Sequence, residues 1–174
     1  MQIKSSGFYE EKAELYRLIQ NDFLLDTLLK NFRLNAQSIH GITHWLRVLK
    51  SGLYIAKFSK ADIETVKLFA IFHDCMRKNE EYDPSHGAEG AAAARILRDR
   101  KIYNLADDQL SKLYSACKYH TDGQVTSDPT VGTCWDADRL DLPRVGIEPG
   151  LRWLSTTTAR TAVEASDYAL WKKI

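Results

Sequence analysis

Apolar side chains recur along most of this chain at three- and four-residue intervals, the rhythm of helices that bury one face. Leu15, Leu18, Ile19, Leu25, Leu28 and Leu29 predict one or two packing helices over 8–31. Ile42, Trp45, Leu49, Gly52 and Ala56 predict an amphipathic helix over 39–58, with His40 and His44 one turn apart on a neighbouring face. Ser59 reads as the N-cap of the next helix, with Asp62 in its first turn. That helix carries Ile63, Val66, Phe69, Ala70 and His73 along one side. Residues 77–85 are polar and contain a proline, so they form a loop. Asp83-Pro84 then reads as N-cap and first position of an alanine-rich helix to Arg98, with His86 in its first turn. Leu110, Leu113, Tyr114, Cys117 and His120 share one face of a helix over 108–120. A loop is expected over 121–132, then a short segment, CWDADRLDLPRVG, in which Pro143 limits any helix. Glu148-Pro149-Gly150 reads as a turn, and a C-terminal helix is expected over 158–171. No convincing alternating strand is present, so the expected class is all-α.

Composition narrows the function classes. The 174 residues, 44% hydrophobic and 27% charged, suit one globular domain with a sizeable core. A net charge of +1 offers no overall attraction for a nucleic acid polymer, although a small anion in a cleft remains open. Cys75, Cys117 and Cys134 are odd in number and lack a CxxC spacing, which points to reduced, buried thiols rather than a disulfide framework. Met1–Ser6 lacks the apolar core of a signal peptide, and no apolar run approaches membrane-spanning length. A cytoplasmic protein with no membrane partner is expected, its oligomeric state open.

The chemistry concentrates in the histidines. All five lie between positions 40 and 120, each at a helix end or on an apolar face. One such histidine would ordinarily be a hydrogen-bonded core residue. Five of them, with the His73-Asp74 pair, Asp136 and Asp138, suit a divalent ion instead. An ion with one open side needs nitrogen and oxygen ligands converging from several elements. It would also supply the counter-charge that an aspartate at the end of an apolar helix needs.

The ordered set His44, His73-Asp74, Asp138 resembles the HD-domain phosphohydrolase superfamily. HGITHWLRV at 40–48 resembles its first-ligand helix, and LFAIFHDCMRKN at 68–79 its histidine–aspartate helix. PSHGAEGAAAARIL at 84–97 and ACKYHT at 116–121 resemble two further histidine segments of one branch. CWDADRLDLPRVGI at 134–147 resembles the last-ligand segment. The resemblance covers about residues 38–148, with helices 8–31 and 158–171 packed on that core. It implies a single-domain helical bundle holding a divalent ion (Mn, Mg, Fe, Ni, Co or Zn), with room for a second. It implies hydrolysis of a phosphate ester or anhydride of a small molecule or nucleotide.

The roles that follow are expectations. His44, His73, Asp74 and Asp138 bind metal, with Asp136 competing for the last place. Asp136 or Asp141 orients a histidine. His86 and His120 share the cleft, holding a second ion or meeting the phosphate, and with Asp74 they are the candidate bases that orient a metal-activated water. Arg77, Lys78 and Arg144 are candidate phosphate contacts. His40 either lines the cleft, where it would meet substrate, or caps its helix. Arg139 is a candidate for phosphate or for a structural ion pair. Trp45 and Trp135 are read as core. Two other readings keep the fold, a di-iron oxygenase and a non-catalytic ligand-binding domain.

Overall fold

The computed structural model describes residues 4–174, so Met1–Ile3 of the N-terminal segment lie outside the described residues. Among the described residues there are eight α-helices and no strand: α1 Lys4–Ile19, α2 Asp22–Asn31, α3 Ile42–Ser59, α4 Ile63–Phe72, α5 His86–Asp99, α6 Asp107–Tyr119, α7 Pro129–Arg139 and α8 Thr157–Glu164. Short 3-10 helices follow at Leu142–Val145, Leu151–Trp153 and Leu170–Lys173. Among the described residues no helix is long and apolar enough to cross a membrane.

α4 is apolar nearly all round, and Val66, Leu68, Phe69, Ala70, Ile71 and Phe72 are all buried. Such a helix must be central. α3, α5, α6 and α7 surround it, and α1 and the C-terminal 3-10 turn lie against α3. The buried apolar side chains, from Leu15 to Leu170, form one cluster, with Trp45, Phe69 and Phe72 its largest fully buried members. Each contributes about 1.5–3 kcal/mol of burial.

α5 reaches this centre through glycine. A Cβ at Gly90 would lie 2.3 Å from the Phe72 carbonyl oxygen, and one at Gly87 would lie 2.6 Å from that of Cys117. These two positions, three residues apart, let α5 lie directly on the ends of α4 and α6. The histidines at those ends are thereby drawn together.

Several boundaries differ from the sequence expectations. Of the one or two helices expected over 8–31 there are two, divided at Gln20, whose φ is +59°, and the first begins earlier, at Lys4. Ser59 is the last residue of α3 rather than an N-cap. Asp62 caps α4 instead, because its carboxylate accepts from both the backbone N–H (2.8 Å) and the hydroxyl (2.7 Å) of Thr65. Asp83-Pro84 precedes α5 without capping it. The Asp83 carboxylate is occupied by the Lys78 and Ser85 backbone N–H groups at 2.9 and 3.3 Å. The loop expected over 121–132 ends early. Asp128 caps α7 through the N–H groups of Thr130 and Val131, and Pro129 takes its first turn. Asp136 and Asp138 are therefore helical. The expected helix over 158–171 splits, because the chain turns at Ser166 (φ +53°) after α8.

Candidate metal centre

Five elements deliver the histidines and their carboxylates to one buried place. The first turn of α3 presents His44. The end of α4 presents His73 and then Asp74. The starts and ends of α5 and α6 add His86 and His120, and α7 adds Asp138. His44 and His73 are fully buried, and Asp74, His86 and His120 nearly so.

The ring orientations are set from outside. His44 Nδ1 donates to Asp141 Oδ2 at 2.8 Å, and His73 Nδ1 donates to the Phe69 and Ala70 carbonyls at 3.1 and 3.2 Å. His120 Nδ1 donates to the Cys117 carbonyl at 2.7 Å, and His86 Nδ1 to that of Asp83. Carbonyl and carboxylate oxygens only accept, so each of the four Nδ1 atoms carries a proton, and in the neutral ring each Nε2 then presents a lone pair.

Those lone pairs face one another. His44 and His73 bring their Nε2 atoms within 3.0 Å, and so do His86 and His120. Two nitrogens without a proton repel at that distance unless a cation lies between them. Asp74 stands between the pairs. Its Oδ2 is 3.6 and 3.8 Å from the Nε2 atoms of His44 and His73. Its Oδ1 is 3.2 and 3.8 Å from those of His86 and His120. Asp138 Oδ1 closes the first group at 3.4 Å from His44 and 3.7 Å from His73. A metal–ligand bond of about 2.1 Å would put neighbouring ligands about 3.0–3.4 Å apart, so the spacing suits an ion in each group. His44, His73 and Asp74 form one such set and Asp74, His86 and His120 a second. The donors are imidazole and carboxylate without thiolate, a set for first-row divalent ions.

The titration tendencies agree with that charge pattern. Burial pushes His73 down to about 3, so its ring stays neutral and available to ligate. Burial also works to lower His44, but Asp138 and Asp141 outweigh it and raise its pKa. Asp74 prevails over burial in the same way at His120. The neighbouring histidines hold the carboxyls of Asp74 and Asp138 well below the usual range despite burial. Positive charge is thus favoured at His44 and His120 and disfavoured at His73.

The remaining sequence candidates surround the centre without facing its middle. His40 is buried in the cleft and does not cap α3. Its Nδ1 donates to Asp74 Oδ2 at 2.7 Å, and its Nε2 faces the Glu80 carbonyl at 3.3 Å. Arg77 Nε donates to Asp74 Oδ1 at 3.1 Å, while its Nη1 holds the Glu81 carbonyl at 3.0 Å. Lys78 turns to Ser85 and Glu89. Arg144 donates to the carbonyls of Ile39 (3.0 Å) and Asp141 (3.2 Å).

Of the two carboxylates considered for orienting a histidine, Asp141 does so and Asp136 does not. Asp136 accepts from the backbone N–H groups of Ser155 (2.9 Å) and Thr156 (2.6 Å), and so anchors the start of α8. Arg139 donates to the Trp153 carbonyl and lies over the Trp135 ring. Trp45 and Trp135 are core, and the latter's indole N–H donates to the Ala116 carbonyl at 3.0 Å. Cys75, Cys117 and Cys134 are free and buried. Arg47, which pairs with Asp141 at 3.0 Å, was missed. Its place one turn after His44 was a usable signal.

No protein-family profile and no curated protein matches the chain. Among solved structures, it is similar to a predicted HD superfamily hydrolase from an uncultured Thermotogales bacterium. The two share 24% sequence identity over 88% of this chain and 83% of that one, with a TM-score of 0.61. At that identity the likeness is one of fold: the helices of this chain are arranged as in that protein.

Proposed function

We propose that this protein is a metal-dependent phosphohydrolase that cleaves a phosphate ester or anhydride of a small molecule, nucleotides included, with water as the nucleophile. One observation carries the reading: a single buried carboxylate, Asp74, lies between two histidine pairs whose Nε2 lone pairs face each other. His44, His73, Asp74 and Asp138 would hold one divalent ion, and Asp74, His86 and His120 a second. When bound, such ions would acidify a water and polarise a phosphoryl oxygen.

The protein's own contribution is orientation and charge. His40 and Arg77 grip the two oxygens of Asp74 from behind and keep that carboxylate ionised and fixed. Asp141 holds His44 in the tautomer that leaves Nε2 open. Asp74 or one of His86 and His120 would orient the attacking water as its base. Lys78, exposed beside Glu89, would exchange that partner for a substrate phosphate. A protein nucleophile is disfavoured, because burial raises the Cys75 thiol far from the thiolate range. The three reduced thiols favour a cytoplasmic location.

Metal analysis of the purified protein, followed by a phosphate-release screen with added divalent ions, tests the reading. Two ions per chain and turnover that chelator abolishes are expected. Turnover in metal-free protein, or a trapped phospho-enzyme, overturns it. The carboxylate between two histidine pairs also suits a di-iron oxygenase, which oxygen consumption in the iron-loaded protein would reveal.

A further inference from the structure

A cavity of about 550 Å³ opens directly beside the centre. His120 and Asp138, one from each proposed ion group, lie at its inner end. Its walls come from the segment after α7: Leu142, Ile147, Pro149, Trp153 and Leu154. The size falls within the range of about 300–1,000 Å³ typical of small-molecule sites.

This segment leaves unusual apolar area open to solvent. Val145, Ile147, Leu151 and Trp153 are 39%, 53%, 40% and 41% exposed. Of these, Ile147 and Trp153 line the cavity, and exposed apolar side chains at a cleft mark a surface that something covers. The Trp153 indole is also held in place. A Cβ at Gly150 would lie 3.2 Å from its Cδ1, closer than most such contacts, and one at Gly123 would lie in ordinary van der Waals contact, 3.6 Å from its Cζ3, so both glycines pack close to the ring. The Arg152 guanidinium sits 4.6 Å from the ring centroid, and the Trp153 carbonyl is fixed by the buried Arg139. A fixed aromatic wall loses little freedom when a planar group stacks on it.

We propose that this cavity binds the nucleoside portion of a nucleoside phosphate, stacking its base on or beside Trp153 while its phosphate reaches the His120–Asp138 end. The inference rests on the phosphohydrolase reading for the phosphate end alone. Apolar walls favour a base over a polyol, because hydroxyls buried without partners cost free energy. Thr121 and Glu148, on the same lining, offer acceptors to the base edge. Arg139, buried below, adds positive charge for the anionic end.

The test titrates the metal-loaded wild type, Trp153→Ala and Trp153→Phe with nucleosides, nucleoside 5′-monophosphates and ribose 5-phosphate. Tryptophan fluorescence and calorimetry report binding, and phosphate release reports turnover. Nucleosides lacking phosphate should quench wild-type fluorescence. Trp153→Phe should still bind by calorimetry but lose the quench. Trp153→Ala should weaken nucleoside binding and raise KM for nucleotides about tenfold or more, with kcat little changed. Ribose 5-phosphate should be a poor substrate in all three proteins. Nucleoside binding without phosphate release would uphold the pocket and overturn the phosphohydrolase. Phosphate release that prefers ribose 5-phosphate, with KM unmoved in Trp153→Ala, would overturn the pocket and uphold the phosphohydrolase. Neither nucleoside binding nor turnover would overturn both.

Discussion

Asp74 is the residue on which the centre turns, because its two oxygens serve different histidine pairs. Burying a carboxylate costs several kcal/mol unless charge and hydrogen bonds compensate. Here His40 and Arg77 supply part of that compensation, and cations at the Nε2 pairs would supply the rest. Replacing Asp74 with Ala should remove metal from both groups while the far-UV circular dichroism stays helical. Retention of two ions per chain in that variant, by elemental analysis, would refute the assignment. Asp141 acts one step further out, on His44 Nδ1. Asp141→Ala should weaken metal affinity about 10–100-fold in a chelator competition, as loss of an orienting partner generally does. Cys75 lies next to Asp74 in sequence but is buried and held as the thiol, so Cys75→Ser should keep its phosphate-release rate.

At the scale of elements, the centre depends on where helices start and how closely they approach. Asp62 caps α4 and also accepts from Gln109 on α6 at 2.8 Å. Asp62→Ala should cost about 1 kcal/mol in urea unfolding. Burial would raise the Asp62 pKa, but hydrogen bonds from Thr65 and Gln109 prevail and lower it. A carboxyl whose pKa is lower folded than unfolded adds stability above its unfolded value, and loses it as pH falls through the folded one. The difference between wild type and Asp62→Ala should therefore narrow below about pH 4. Gly90→Ala tests the approach of α5. Its methyl would meet the Phe72 carbonyl, which is backbone and cannot swing aside. A loss of about 1–3 kcal/mol is expected, as for other overpacked sites. Metal affinity should fall with it, because α5 carries His86 towards His120 and Asp74.

For the whole molecule, metal and fold should be coupled. The proposed ligands lie on or at the ends of α3, α4, α5, α6 and α7, so a bound ion would tie together helices far apart in the chain. Anything that binds only the folded state stabilises it, by about 2.7 kcal/mol at a hundredfold excess over Kd. In a chain of this length that should raise Tm by about 5–10 °C over the chelated protein. Calorimetry with and without chelator would read the shift. Equal melting temperatures would contradict a structural link between centre and fold.

The sequence alone determined the helical class and singled out candidate residues for the centre. Apolar periodicity needs no tertiary information, since a helix that hides one face must repeat its apolar positions every three or four residues. The histidines, His73-Asp74, Asp136 and Asp138 stood out because so many potential ligands on helix ends and apolar faces are unusual together, and the resemblance of their order and flanks to the HD-domain phosphohydrolase superfamily selected His44, His73, Asp74 and Asp138 among them. Boundaries were less legible where capping groups competed. Asp62 displaced Ser59 because its carboxylate could reach two donors of Thr65, and Asp83 closed a loop instead of starting α5. What each polar residue does within the centre was settled by tertiary structure alone. Whether Asp136 or Asp141 holds a histidine, and whether Arg77 and His40 grip Asp74 or point outward, depends on the packing of helices distant in sequence. The Trp153 pocket gave no periodic signal, because its walls come from short irregular turns. Distance along a chain carries no record of which side chains converge; convergence comes from burying the apolar faces of α3 to α7 around one helix, α4.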